Sequence, residues 1–292
     1  MRILTKAWNW LPENVRRTFG LRALRRSAAS GRAIARHNSK QATSAPILNF
    51  FPERPLPRAQ LLGLLALLGV RIGSDLRGGP QIAWQKGTWL RPADQAKLPA
   101  YAINRACSDV SKSRVDALWG DLAGYSLSVD PLVSAGPLVV KSDENARHDW
   151  RVVNGPLRRR QAGMVYERLI DATVGEHYVQ SRPVIMRGHM PLVYEVHFPR
   201  HHWRADARMF PGEISAVYSV SEVELILAFA AAIGLGYGEL DVLRESATGK
   251  LFVIDANPTP VAPHHISPDD EATTRRQMAD AFAEIFAADL AR

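Results

Sequence analysis

The chain has 292 residues, 46% of them hydrophobic, enough for a buried core in one large domain or in two to three smaller ones. Its one cysteine, Cys107, excludes an internal disulfide framework and suits a reducing cytoplasm. The net charge of +8 is local: residues 1–40 hold ten Lys/Arg against a single acid, Glu13, and the rest of the chain is close to neutral.

That basic arm, residues 1–44, sets Trp8, Trp10 and Phe19 among arginines, a pattern that suits a surface helix or contact with an anionic membrane or nucleic acid. Its first twenty residues lack the apolar core of a signal peptide, and the apolar run 61–70 is too short to span a bilayer. After a linker at 39–45, an αβ unit is predicted. It comprises a buried strand at 47–51, a leucine-rich helix from Pro57 to Leu68 that is apolar almost all round, and a strand at 70–72. Residues 74–99 are rich in Gly, Pro and Trp and carry one short strand at 81–84. A helix follows from Ser111 to Ala123, closed by Gly124, then strands at 126–129 and 136–141. The Arg-rich segment 142–163 is predicted to be a mobile loop. A strand at 164–166 runs on into Glu167-Arg168-Leu169-Ile170-Asp171, and a hairpin turns at Gly188. Ser221 and Glu224 have capping-box spacing for a helix to Ile233, and an amphipathic helix ends the chain over 268–292.

Strands at 239–245 and 250–257, joined by Ala247-Thr248-Gly249, form a hairpin whose loop pairs 246 with 250, 244 with 252, and Asp241 with Asp255. Asn257 shares the face of Asp255. Two carboxylates at a directly opposed pair repel by roughly 3 kcal/mol at an effective dielectric near 20, a cost that a cation removes. An oxygen-only donor set suits Mg²⁺ or Mn²⁺. Adjacent histidine pairs at 201–202 and 264–265 lack zinc-ligand spacing.

Lys141 on a strand, the Glu167–Ile170 hinge, a capped helix and GYGELDVLRE…KLFVIDANPTP, in that order, resemble the ATP-grasp superfamily over about residues 45–265. The likeness is to carboxylate–amine ligases of the glutathione synthetase and ribosomal-protein glutamyl ligase type. It implies an α+β ATP-grasp fold at 111–267, with two subdomains around ATP, preceded by a small α/β pre-ATP-grasp domain at 45–110. It also implies Asp241, Asp255 and Asn257 as Mg²⁺ ligands and Lys141 and Lys112 as phosphate contacts. Glu167 and the backbone of Arg168 and Leu169 are expected at the adenine edge, Asp171 or Glu176 at the ribose, and Arg182 near the phosphates or an acyl-phosphate. Arg200 and Arg204 are further candidates for holding an anionic substrate. The implied activity joins a small-molecule or peptide carboxylate to an amine; a kinase acting on a hydroxyl, or a non-catalytic nucleotide-binding module docked through the arm, are the alternatives. Where many members carry a glycine-rich flap after the strand lysine, this chain has Ser142-Asp143-Glu144-Asn145-Ala146-Arg147-His148. Phosphate capture there would rest on Asn145, Arg147 or His148.

Overall fold

The computed structural model describes residues 28–200 and 206–291, so most of the basic arm, with its predicted membrane or nucleic-acid contact, and Arg204 lie outside the described residues. Three sheets organise the chain. In the first, β1 (Ile47–Pro52) is flanked by parallel neighbours β2 (Arg71–Gly73) and β3 (Gln81–Trp84). The second has the order β5-β4-β6, with β4 (Gly136–Ser142) between β5 (Arg151–Gly155) and β6 (Met164–Arg168), all antiparallel. The third is six-stranded. It runs β10 (Arg208–Gly212), β9 (His189–Pro199), β8 (His177–Met186), β11 (Tyr237–Arg244), β12 (Leu251–Asn257), with β7 (Thr173–Val174) paired to β8.

The large sheet has two differently covered faces. Ile185, Val193, Leu240 and Val242 pack under helices Lys112–Ala123 and Val220–Ile233 through Trp119 and Phe229. On the other face Met186, Leu192, Tyr194 and Tyr237 join β1, helix Gln60–Leu67 and helix Pro268–Ile285 in one core around Phe282. The C-terminal helix is therefore built into the core of the first sheet. It stops at Phe286, and a short helix, Ala287–Leu290, follows. Among the described residues no helix is long and apolar enough to cross a membrane.

Several local expectations are corrected. The leucine-rich helix begins at Gln60, not Pro57, because Arg58 and Ala59 are extended against Val261 and Ala262, and the Pro260 carbonyl accepts the first helical N–H. Only one side of this helix is buried, since Leu67 is exposed. The strand expected at 126–129 is reduced to one antiparallel bridge, Ser128 to Glu167 of β6, while the amides of Leu127 and Ser128 donate to the buried carboxylate of Asp116. The capping box lies two residues earlier than predicted, at Ser219 and Glu222. There the buried Tyr218 immediately precedes the cap, with Val223 packed against the same core as a staple. The Arg-rich segment contains β5, which completes the small sheet.

Gly234 closes helix Val220–Ile233 at φ 77°, and a Cβ there would lie 2.5 Å from the Ala106 carbonyl carbon. Gly234→Ala therefore combines a left-handed strain with backbone overlap, and is expected to lower the urea-unfolding free energy by about 2 kcal/mol or more.

Candidate active site

A cavity of about 440 Å³ separates the small sheet from the large one. Val139 and Lys141 of β4 with Glu167 and Arg168 of β6 form one wall; Tyr178 and Gln180 of β8, Leu243 and Ile254 form the other. Leu127, Ile170, Phe198 and Trp150 supply apolar surface. A second hollow, about 460 Å³ beside Arg208, Phe210, His265 and Asp270, shares no lining residue with it.

The register brings Asp241 opposite Asp255 and Glu239 opposite Asn257. Beyond Asp241 the pairing shifts by one, so Arg244 meets Leu251 where residue 252 was predicted, and Ile254 is the extra residue of a bulge. The bulge lets consecutive residues serve one site: Ile254 lines the cavity while Asp255 holds an ion pair.

Each aspartate has its own cation. Arg182 approaches Asp241 with Nε 3.1 Å from Oδ1, in a β8–β11 register that places the two residues opposite each other. Lys112, buried at the start of its helix, pairs with Asp255 and donates to Asn145 Oδ1 at 3.2 Å. Burial pushes the Asp241 carboxyl up; Arg182 pulls it back, and Asp255 adds to the rise. Asp241 in turn raises the Arg182 guanidinium. Asn257 Oδ1 accepts the Thr259 N–H at 3.1 Å. Among the described residues no three His, Cys, Asp or Glu side chains converge as a metal cluster. Asp241, Asp255 and Asn257, expected as Mg²⁺ ligands, hold Arg182, Lys112 and the Thr259 N–H here; their oxygens are the kind of donor that would suit Mg²⁺.

On the opposite wall Lys141 Nζ lies 2.8 Å from Glu167. Burial raises the Glu167 carboxyl against the pull of Lys141. The Arg168 N–H donates to the Leu127 carbonyl, and its guanidinium pairs with Glu245 over the Phe252 ring, leaving Leu169 exposed on the rim. Asp171 and Glu176 do not line the cavity. The Asp171 carboxylate folds onto Thr173, which holds it below the usual range, and Glu176 is exposed. Arg200 lines the cavity.

The segment after Lys141 is tied down, where a mobile loop was predicted. Ser142 donates through its amide and hydroxyl to both oxygens of Asp149. Asp143 accepts from the Ser113 amide and hydroxyl, and the Asn145 N–H donates to Thr88 Oγ1 at 2.7 Å. Neither Arg147 nor His148 lines the cavity, and Arg147 pairs with Glu144.

Among the residues that escaped sequence reasoning are Trp150, Gln180 and Glu239, and the apolar lining Val139, Leu243 and Ile254. Glu239 has the same strand parity as Asp241, which was a usable signal. It is buried, and its Oε1 accepts from Gln60 Nε2 at 2.8 Å, while Gln60 Oε1 accepts the Tyr237 hydroxyl.

No protein-family model matches the chain, and no curated protein matches it in sequence. Solved structures do match. The ATP-grasp ligase PsnB complexed with minimal precursor, Mg and ADP aligns over 82% of this chain and 99% of its own, at 12% identity and a TM-score of 0.56. PsnB complexed with precursor peptide PsnA2 and AMPPNP gives 82%, 99%, 13% and 0.53. D-cycloserine synthetase DcsG gives 80%, 99%, 14% and 0.51. Against PsnB bound to a phosphomimetic variant of the minimal precursor, the chain spans 60% of that chain's length. The fold is the ATP-grasp fold.

Burial raises the Glu239 carboxyl to about 7 from the 4.5 of an exposed glutamate, with Arg182 opposing and Asp241 adding to the rise. Below pH 4.5 both folded and unfolded chains hold this proton; between 4.5 and 7 only the folded chain does, so Glu239 costs stability as pH rises through that window, on the order of 3 kcal/mol by pH 8. Glu239→Gln is expected to raise the melting temperature at pH 8 and to leave it nearly unchanged at pH 4.5, measured by thermal denaturation.

Proposed function

We propose that this protein is an ATP- and Mg²⁺-dependent ligase that joins a carboxylate to an amine through an acyl-phosphate. One observation carries the reading: Lys112 links the two sides, pairing with Asp255 of the acidic hairpin while its charge acts on the buried Glu167 that holds Lys141 in the cavity wall, although neither Lys112, Arg182 nor the two aspartates line the cavity itself. Such a site offers positive charge to polyphosphate from both sheets and an apolar slot for a base.

In this reading the adenine lies between Val139, Ile170, Leu243 and Ile254, with the Leu169 backbone at its edge. Lys141, held by Glu167, meets the phosphates from the small sheet. The substrate carboxylate attacks the γ-phosphorus and ADP leaves. Arg182 faces the negative charge that spreads over the transferring group, where a preorganised cation lowers the barrier most. The amine nitrogen then attacks the acyl carbon, a C–N bond forms, and phosphate departs with the C–O electron pair. Mg²⁺, when bound at Asp241, Asp255 and Asn257, supplies charge neutralisation of the phosphates. No side chain acts as a nucleophile; positioning and charge are the protein's contribution. A cytoplasmic location fits both the ATP requirement and the buried, protonated Cys107 thiol, which burial pushes up to about 12.

The test is ADP release in the presence of paired acids and amines. Turnover that needs both partners is expected, with phosphate as product. Asp255→Ala and Lys141→Ala are each expected to lower kcat/KM by at least 100-fold, about 3 kcal/mol of transition-state stabilisation. Turnover on a hydroxyl substrate without an amine would point to a kinase. Tight Mg·ATP binding with no turnover across the screen would sink the ligase reading.

A further inference from the structure

On β8, Tyr178, Gln180 and Arg182 share a face, and Tyr178 and Gln180 line the cavity. Gln180 is 8% exposed, yet its Nε2 makes no hydrogen bond. Its amide acts on the Asp241 carboxylate as a weak donor, favouring its charge, outside the geometry of a formed hydrogen bond. Its ladder neighbours are Leu243 and Val196, whose side chains accept nothing. Among the described side chains with an unmatched buried polar atom, Gln180 is the one lining this cavity. Leaving a buried amide donor unmatched costs about 1–3 kcal/mol, and such a group in a native fold calls for a partner.

Its place along the strand says which partner. Two residues of strand are about 7 Å, so Gln180 stands that far from Tyr178, among the apolar side chains that suit a base, and equally far from Arg182, at the paired aspartates. Between a base and a terminal phosphate lie the sugar and the first phosphate of a nucleotide. An amide nitrogen only donates, and the donor points to the Asp241 side of the cavity, where acceptor oxygens of phosphate are expected.

We propose that Gln180 donates a hydrogen bond to the phosphate nearest the sugar of a bound adenine nucleotide, and so fixes where the phosphate chain enters the site. This rests on the nucleotide reading above. Gln180 is a binding residue and takes no part in bond making.

Calorimetric titration of the full chain tests it, with adenosine and AMP in a chelator and ADP with Mg²⁺. Gln180→Ala is expected to weaken AMP and ADP by a similar factor of about 10, with adenosine unchanged. Gln180→Glu, which sets a carboxylate against the phosphate, is expected to weaken both further. Gln180→Met keeps the shape without the donor and serves if the alanine variant melts early. Equal losses for adenosine, or no loss at all, would overturn the assignment. A loss confined to ADP with Mg²⁺ would also overturn it, assigning Gln180 to Asp241 instead. Wild-type protein that fails to bind ADP with Mg²⁺ would bring down the nucleotide reading itself.

Discussion

Two half-buried aspartates face each other across a hairpin, and the rest of the site is arranged to make that tolerable. Asp241 and Asp255 are held in register by β11 and β12 and are matched by cations from two other elements, Arg182 on β8 and Lys112 at a helix start. Buried charges left unpaired cost several kcal/mol, so the hairpin, the helix and β8 must come together as one unit. Loss of either cation would leave a half-buried carboxylate without its counter-charge, which ties the fold to the site. The same four groups leave little net charge.

The large sheet places these groups in a sequence. Along β11 the residues on one face run Tyr237, Glu239, Asp241, Leu243, from the apolar core through the acids to the cavity. Tyr237 and Gln60 hold Glu239, linking the first sheet's helix to the acid strand. The bulge at Ile254 is part of this ordering, because it carries β12 from an apolar lining to a charged one within a single residue.

The parts legible from the sequence were those fixed by short-range chemistry. Helix ends followed from Ser111, Gly124 and Gly234, whereas the predicted Asp241–Asp255 opposition was reached through a loop register that does not form and holds because the bulge at Ile254 restores the offset. Lys112, Lys141, Glu167 and Arg182 were named by resemblance; the fold sets Lys141 and Glu167 in the cavity wall and Lys112 and Arg182 against the two aspartates. What escaped depended on partners distant in sequence. Asp116 holds the Leu127 and Ser128 amides, which trims the strand at 126–129 to a single bridge, and Val261 pairs with Ala59 where a helix was expected from Pro57. Asp171 looked apt for a sugar, yet its nearest donor is Thr173, two residues on. Gln180 carries no local signal, since its unmatched donor exists only once Leu243 and Val196 are its neighbours. The bulge moved the register by one, which no loop rule foretells.

The small sheet is attached to the rest of the chain differently from everything else. Helices and the other two sheets share two apolar cores, whereas none of the small sheet's residues belongs to either among the described residues. Its named links are polar: Asn145 to Thr88 and Lys112, Asp143 to Ser113, Arg168 to Glu245. Separating apolar surfaces costs free energy in proportion to area, while water replaces broken hydrogen bonds at small net cost. Of the two jaws around the cavity, one is therefore welded and the other laced, and parting the laced one costs less.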